Sequence, residues 1–396
     1  MNKLPARAAV TKKRVLFIGH SGHRSGAPIV MLNFLRWLKA NDDLEFDVKL
    51  LQGGPLVAEF EKLAPTEVIA SSATLPRRVL RRVVAGPMAK FEAKELVRRL
   101  SADRYALAYV NTVVPKREMM ALAEAGLPVI CHVHEMDFSI RYWLGPEGLT
   151  SLVDPVSRFI AVSRAVRDEL VCRWHAPESK VSVVHAFTPS TTQSAKASDR
   201  AGIRTSLGLT DDDVLVGGCG TLDWRKGADL FLQVARATEA EAQSRRKTHF
   251  VWLGADRASS DYYKFMHDLE QCGLQDRVTV LESTPHPGAV FAAMDVFALT
   301  SREDPFPLVM LEAAALKVPM ICFANSGGGP EFAADGAGVV APYLDVSAFA
   351  SEISRLANDP NRRRQIGEIA SSRVAERFTI ERQAPKLRDI IRATLR

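Results

Sequence analysis

Val296-Phe297-Ala298-Leu299 leads into Thr300-Ser301-Arg302-Glu303-Asp304-Pro305-Phe306-Pro307 and then Leu308-Val309-Met310-Leu311-Glu312-Ala313-Ala314-Ala315-Leu316. The first run is short, apolar and β-branched at its start, as a buried strand is. The last is apolar and of helical length, and Pro305 and Pro307 stiffen the loop between them. The same alternation extends upstream through Leu215 to Gly217, Phe250 to Leu253 and Val278 to Leu281, and downstream to Met320 to Phe323. Before a polar stretch, Ser190 to Ser198, it occurs again: Val15 to Ile18, Val48 to Leu51, Ala108 to Val110, Val129 to Cys131, Phe159 to Val162 and Val181 to Val184. Strands that read as continuous apolar runs are buried on both faces, which predicts parallel sheets covered by helices and an α/β chain of two units in tandem. The boundaries expected are 1–190 and 196–377, with a hinge around Thr188 to Asp199. Two strandless helical patterns, Asn361 to Val374 and Ile380 to Leu395, close the chain.

Composition agrees with a folded, water-soluble chain of 396 residues, 47% apolar and 25% charged. Every hydrophobic run is interrupted before the length of a membrane span, and the basic first 14 residues lack the apolar core of a secretory signal, so a cytoplasmic location is expected. Cys131, Cys172, Cys219, Cys272 and Cys322 are scattered, with no CxxC pair, and predict neither disulfides nor a cysteine-based metal site. The excess of 52 Lys and Arg over 46 Asp and Glu, +6, suits anionic small molecules or a lipid surface and requires no nucleic acid.

Ligand sites of such sheets lie beyond the carboxyl ends of the strands. The first strand ends in Gly19-His20-Ser21-Gly22-His23-Arg24-Ser25-Gly26, whose spacing is not the GxGxxG of a dinucleotide site. The second unit opens with Gly217-Gly218-Cys219-Gly220-Thr221-Leu222-Asp223-Trp224-Arg225-Lys226-Gly227, which brings Lys226 and Arg225 to a strand end where they can neutralise a diphosphate. Glu312 is the one polar side chain of its helical run, so its carboxylate needs a partner: the vicinal hydroxyls of a ribose, or a structural Arg or Lys. Asp304 lies eight positions earlier and can face the same pocket. Gly327, Gly328 and Gly329 follow the next strand as a turn able to offer backbone donors. The pairs His20-x-x-His23 and His132-x-His134 form no closed metal site, and no metal or cofactor is expected.

These motifs, in this order, resemble the glycosyltransferases of family 4, whose GT-B architecture sets two Rossmann-like domains facing each other across a cleft. The resemblance extends to Ser25-Gly26-Ala27, to His132-Val133-His134-Glu135 and to Phe159 through Val166 in the first half. It implies a retaining, nucleotide-sugar-dependent enzyme that moves a hexose-type sugar from an NDP-sugar to a glycan or lipid-linked acceptor in bacterial-type polysaccharide or glycoconjugate synthesis. The implied catalytic residues are His134, Lys226 and Asp304. Donor-binding residues are Gly26, Gly220, Arg225, Lys226, Asp304, Phe306, Glu312, Gly327, Gly328 and Gly329. A helix over 378–396 is implied to cross back onto the first domain. Departures from the family pattern are Asp304 in place of Glu, Thr221 in place of Arg, and His185-Ala186-Phe187-Thr188 in place of an Asn-Gly-x-Asp turn. Alternative readings of the same residues are a nucleotide-sugar epimerase of this fold and a non-catalytic sugar-nucleotide-binding subunit.

Leu75, Val79, Leu80, Val83 and Val84 recur at helical spacing, with Arg77, Arg78, Arg81 and Arg82 opposite them. Such a stripe is either the solvated face of a helix packed on the sheet or a face that rests on anionic lipid, at about 1 kcal/mol per arginine, in peripheral contact with the inner face of the plasma membrane.

Overall fold

The computed structural model describes residues 14–69, 87–189, 197–240 and 247–396. Its first sheet takes β1 (Val15–Gly19), β2 (Phe46–Leu50), β3 (Thr66–Val68), β4 (Leu107–Asn111), β5 (Val129–Val133), β6 (Arg158–Ala161) and β7 (Val181–Val183), in the order β3-β2-β1-β4-β5-β6-β7. The second takes β8 (Val214–Cys219), β9 (Thr248–Ala255), β10 (Val278–Glu282), β11 (Val296–Leu299), β12 (Met320–Phe323) and β13 (Val339–Ala341), in the order β10-β9-β8-β11-β12-β13. All pairings are parallel. Both sheets reverse direction of winding at one place, between β1 and β4 and between β8 and β11, which is where an open α/β sheet leaves a crevice for a ligand.

The helices of the first unit are α1 (Gly26–Asn41), α2 (Val57–Glu61), α3 (Pro87–Leu100), α4 (Lys116–Glu124), α5 (Asp137–Leu144) and α6 (Arg164–Asp168), the last running on into a π turn over Glu169–Arg173. Those after it are α7 (Ala197–Ser206), α8 (Ala228–Ala240), α9 (Ser260–Gln271), α10 (Gly288–Ala293), α11 (Leu308–Ala315), α12 (Gly328–Ala333), α13 (Val346–Asn358), α14 (Pro360–Arg377) and α15 (Ile380–Thr394). The architecture is the two Rossmann-like domains that the sequence predicts. Two strands escaped that reading, β3 and β13. Each is three residues at a sheet edge: Thr66-Glu67-Val68 of β3 is not an apolar run, Glu67 reaching out to Lys49 at 2.8 Å, and Val339-Val340-Ala341 of β13 is apolar but too short to stand out.

The chain crosses between the domains twice, and the crossings lie side by side. Thr188 donates its amide to the Phe378 carbonyl at 3.0 Å and accepts from the Ile380 amide at 3.0 Å. Phe378 sits among Phe306, Phe332 and His185, with ring centroids 5.1, 5.7 and 5.2 Å away, so the hinge has an aromatic core. Beyond it α15 lies on α1 of the first domain, burying Ala384, Leu387 and Ile391, and Arg392 bonds Asp42 at 2.6 Å and Asp43 at 2.7 Å. The arginine stripe Arg77, Arg78, Arg81 and Arg82 falls outside the described residues.

Candidate functional site

The loops at the winding reversal of the second sheet are stitched to one another. Gly227, at φ +68°, ends the loop after β8, and a Cβ there would lie 2.0 Å from the Thr300 carbonyl oxygen, so no other residue fits. Asp223 Oδ1 accepts from the Lys226 amide at 2.8 Å and shapes the turn. Gly220, just past β8, leaves the stem of Lys226 room to lie across it. Lys226 then reaches the loop after β11, its Nζ 2.5 Å from Oδ2 of buried Asp304. Ser301 Oγ donates to the same oxygen at 3.4 Å, while Arg225 Nη1 stands 3.9 Å from Asp304 Oδ1 and donates to the Glu303 carbonyl at 3.2 Å. The charge pair is short enough to be a charge-assisted hydrogen bond.

Asp304 is held from the other side by the glycine turn. Its amide donates to the Ser326 carbonyl at 2.7 Å, and its carbonyl accepts from the Gly328 amide at 3.0 Å. Gly327, at φ +117°, would place a Cβ 2.0 Å from the Asp304 carbonyl oxygen. The triple glycine is therefore first a means of laying one loop against another. Gly328 spends its amide on Asp304, and Gly329 packs on Leu299 and Cys322. The Phe306 ring is buried against His185 and Phe378, which leaves its backbone as what it can offer a ligand. At Gly26, the first residue of α1, a Cβ would meet nothing within 4 Å, so close packing does not demand that glycine.

Glu312 projects from α11 toward the end of β8, where its charge and burial together push the Cys219 thiol up to about 12. Burial pushes its own carboxyl up to about 7, and it makes no hydrogen bond or ion pair with any described residue. Of the two partners that the sequence allows for Glu312, the structural cation is thus not there among the described residues.

Across the cleft, the first domain brings up the ends of β1, β4 and β5. Asn111 at the end of β4 donates from Nδ2 to the Ala27 carbonyl at 2.9 Å, which turns its Oδ1 toward His134 Nε2, 3.0 Å away. The proton of a neutral His134 is thereby on Nε2. Burial, then the neighbouring rings of His132 and His20, hold His134 well below the ordinary histidine range, so it is neutral at pH 7. A neutral ring with its one N–H engaged is an acceptor through Nδ1. Glu135 follows, buried, accepting from the amides of Val113 at 3.3 Å and His134 at 3.0 Å, its carboxyl pushed up to about 7 by burial. It braces Thr112, a β-branched residue at φ +100°, where side chains are strained. Asn111 and Thr112 were not among the residues singled out from sequence, and Glu135 entered only as the last residue of the His132-Val133-His134-Glu135 motif, with no role. Their signal is topological, since it needs β4 and β5 set side by side. Among the described residues no group of three or more His, Cys, Asp or Glu could hold a metal ion.

Two carboxylates of the second domain tie the halves together. Glu303, next to Asp304, accepts from the amides of Phe138 at 2.8 Å and Ser139 at 3.2 Å and from Ser139 Oγ at 3.0 Å, capping α5 across the cleft. Glu331 accepts from the Arg164 amide at 2.8 Å, the first residue of α6, and meets His185 Nε2 at 2.7 Å. Between the π turn and the glycine turn lies a cavity of about 700 Å³, with Met136, Glu169 and Arg173 on one wall and Asn325, Gly327 and Pro330 on the other. No helix among the described residues is long and apolar enough to cross a membrane.

Comparison with known proteins covers nearly the same span. Residues 24–188 match the family described as Glycosyltransferase Family 4, and residues 199–373 match Glycosyl transferases group 1. A D-inositol 3-phosphate glycosyltransferase of Kribbella flavida is 26% identical over 344 residues, 82% of this chain and 75% of that protein. A GDP-mannose-dependent monoacylated alpha-(1-6)-phosphatidylinositol monomannoside mannosyltransferase of Corynebacterium glutamicum is 26% identical over 224 residues, 53% of this chain and 54% of that one. Among solved structures, HepE of Anabaena in complex with UDP-glucose superposes with a TM-score of 0.77 at 21% identity, covering 96% of this chain and 99% of that one. Sucrose-phosphate synthase of Thermosynechococcus elongatus gives a TM-score of 0.77 at 19% identity, covering 96% and 98%. These structures share the fold with this chain.

Proposed function

The chain belongs to the glycosyltransferases of family 4, and on that premise we propose that it transfers a hexose-type sugar, with retention of anomeric configuration, from a nucleotide diphosphate sugar held by the second domain. The observation that carries this reading is Glu312, a carboxylate without a partner among the described residues, at the winding reversal that also holds the Lys226–Asp304 pair. Two vicinal ribose hydroxyls would give both of its oxygens a donor. Lys226, with Arg225 behind it, would exchange Asp304 for the diphosphate and stabilise the charge that develops on the leaving group. Released from Lys226, Asp304 would take a sugar hydroxyl, its short side chain held in place by the two backbone bonds to the glycine turn. His134 Nδ1 would accept a hydroxyl from the other side of the ring. No resident cofactor enters this scheme.

The acceptor would enter from the first domain, and we take it to be a glycan or a lipid-linked carbohydrate, used at the cytoplasmic face of a membrane. Closure through Glu303 and Glu331 would exclude water and limit hydrolysis of the donor. The test is a calorimetric and thermal-shift screen against UDP-, GDP-, ADP- and TDP-sugars. Binding by one class, weakened about 10- to 100-fold in Glu312→Gln, is the expected result. Failure of all four classes to bind would refute the reading.

A further inference from the structure

Four aromatic side chains form a single run across the mouth of the cleft and face water. Trp143, Tyr142 and Phe138 lie on α5, and Trp224 lies in the loop after β8; their exposures are 58%, 70%, 44% and 52%. Successive ring centroids are 5.1 Å, 6.2 Å and 4.6 Å apart, the last step crossing from one domain to the other. The Arg302 guanidinium stands 5.0 Å above the Trp224 ring. A continuous apolar surface of this kind is unfavourable in water and marks a place of contact.

Two occupants have the right chemistry, a membrane and a carbohydrate, and the charges around the rings separate them. A membrane-binding face needs cations free to meet anionic headgroups. Here Arg302 is bound bidentate to Asp229 at 2.7 Å and 2.7 Å, Arg141 is bound to Asp137 at 2.9 Å, and Arg173 pairs with the same Asp137. Glu303 adds a carboxylate at the amide of Phe138. Arg225 and Lys226, which follow Trp224, are matched by Asp304 and Asp223, so five cations and five carboxylates leave no surplus positive charge at the run. Rings flanked by paired polar planes suit a pyranose, whose C–H face lies on an aromatic ring while its equatorial hydroxyls reach donors and acceptors at the rim. The run also leads somewhere: α5 begins three residues after His134, and Trp224 is two residues from Lys226.

We propose that Phe138, Tyr142, Trp143 and Trp224 form a subsite for the acceptor that stacks pyranose units of an oligosaccharide whose end enters the cleft. The acceptor would then be a glycan chain, not a small polyol or a bare lipid headgroup. This rests on the reading of the chain as a sugar transferase. Because Phe138 and Trp224 belong to different domains, a sugar lying on both would also favour the closed arrangement.

The experiment is affinity electrophoresis of the full chain in native gels containing dextran, glycogen, yeast mannan, galactan or xyloglucan. In parallel, the protein is sedimented with vesicles of phosphatidylcholine and phosphatidylglycerol. At least one polysaccharide is expected to retard the wild type, with apparent affinity about tenfold weaker in the double variant Tyr142→Ser, Trp143→Ser. Both replaced side chains are exposed, and an unchanged melting temperature verifies that the variant is folded. No retardation in any gel, equal retardation of wild type and variant, or a variant that loses only vesicle binding would each overturn the proposal. Thermal shifts by nucleotide sugars, measured on the same two proteins, read the donor site separately. Their absence in the wild type would defeat the transferase reading, while the gels still decide whether the rings hold sugar.

Discussion

Glu312 illustrates how one side chain can couple ligand, proton and stability. With its carboxyl pushed up to about 7, roughly half the empty molecules carry it protonated at neutral pH. Hydroxyls donating to both oxygens favour the ionised form, so donor binding at pH 7 should release a fraction of a proton. Calorimetry in two buffers of different ionisation enthalpy measures that release. In Glu312→Gln it should vanish, with affinity lower by about 10- to 100-fold. The same shift sets the sign of stability against pH. Glu135, Glu169 and Glu312 all rise from 4.5 to about 7 on folding, so the stability they contribute is full below about pH 4.5 and lost as pH rises through about 7. Buried His20, His132, His134 and His249, all lowered by burial, act in the opposite sense below about pH 6.5, so the Glu312 share is read as a difference: the melting temperature of the empty wild type relative to Glu312→Gln should fall between pH 5 and 8. Lys226→Ala removes the ion partner of buried Asp304 and so lowers the melting temperature as well as the rate. Turnover measured well below the melt should be down by about 10²- to 10³-fold, and an unchanged rate would take Lys226 out of the site.

At the scale of elements, what could be read from sequence divides along a physical line. Strands buried on both faces write themselves as apolar runs, which is why β1, β5, β8 and β11 were legible. β3, with Glu67 at its centre, and β13, apolar but only three residues long, were not. The loops that follow central strands were legible as motifs, but which of two adjacent carboxylates faces the ligand was a matter of register. The bridge between Asp304 and Gly327 turns Asp304 inward and sends Glu303 to the amino end of α5. Strained Thr112, and the part Glu135 plays as its brace, were invisible for the same reason, as their meaning depends on two strands far apart in sequence. Gly327→Ala tests the register directly. With φ at +117° and the Asp304 carbonyl 2.0 Å from the new Cβ, the loops must part, and both nucleotide-sugar binding and melting temperature should drop. Glu303→Gln tests the cap: it keeps an acceptor but loses the charge that faces the helix end. A loss of about 2- to 30-fold in kcat/KM is expected, with a larger share of donor hydrolysed by water. A hydrolysis-to-transfer ratio equal to that of the wild type would reduce Glu303 to a surface tie.

For the whole molecule, the paired crossings at Thr188 and Phe378–Ile380 confine relative motion of the domains to one seam, with the Phe306, Phe332 and Phe378 rings as its packing. The seam also makes the first domain discontinuous, because α15 completes it. Leu387 is fully buried there, and Leu387→Ala should cost about 2–5 kcal/mol in unfolding free energy, read by denaturant titration. Leu387 packs on the first domain, in α15 against α1, so the affinity of the remaining folded protein for nucleotide sugars should not change. A consequence concerns the order in which the molecule is made. The lobe translated earlier leaves the ribosome with the flank of α1 bare, and the lobe translated later has all its own strands before α15 appears. The half that starts first is finished last. Until those final turns of helix arrive, the nascent chain exposes a greasy strip that chaperones would recognise, and a premature stop codon just upstream would leave it exposed for good.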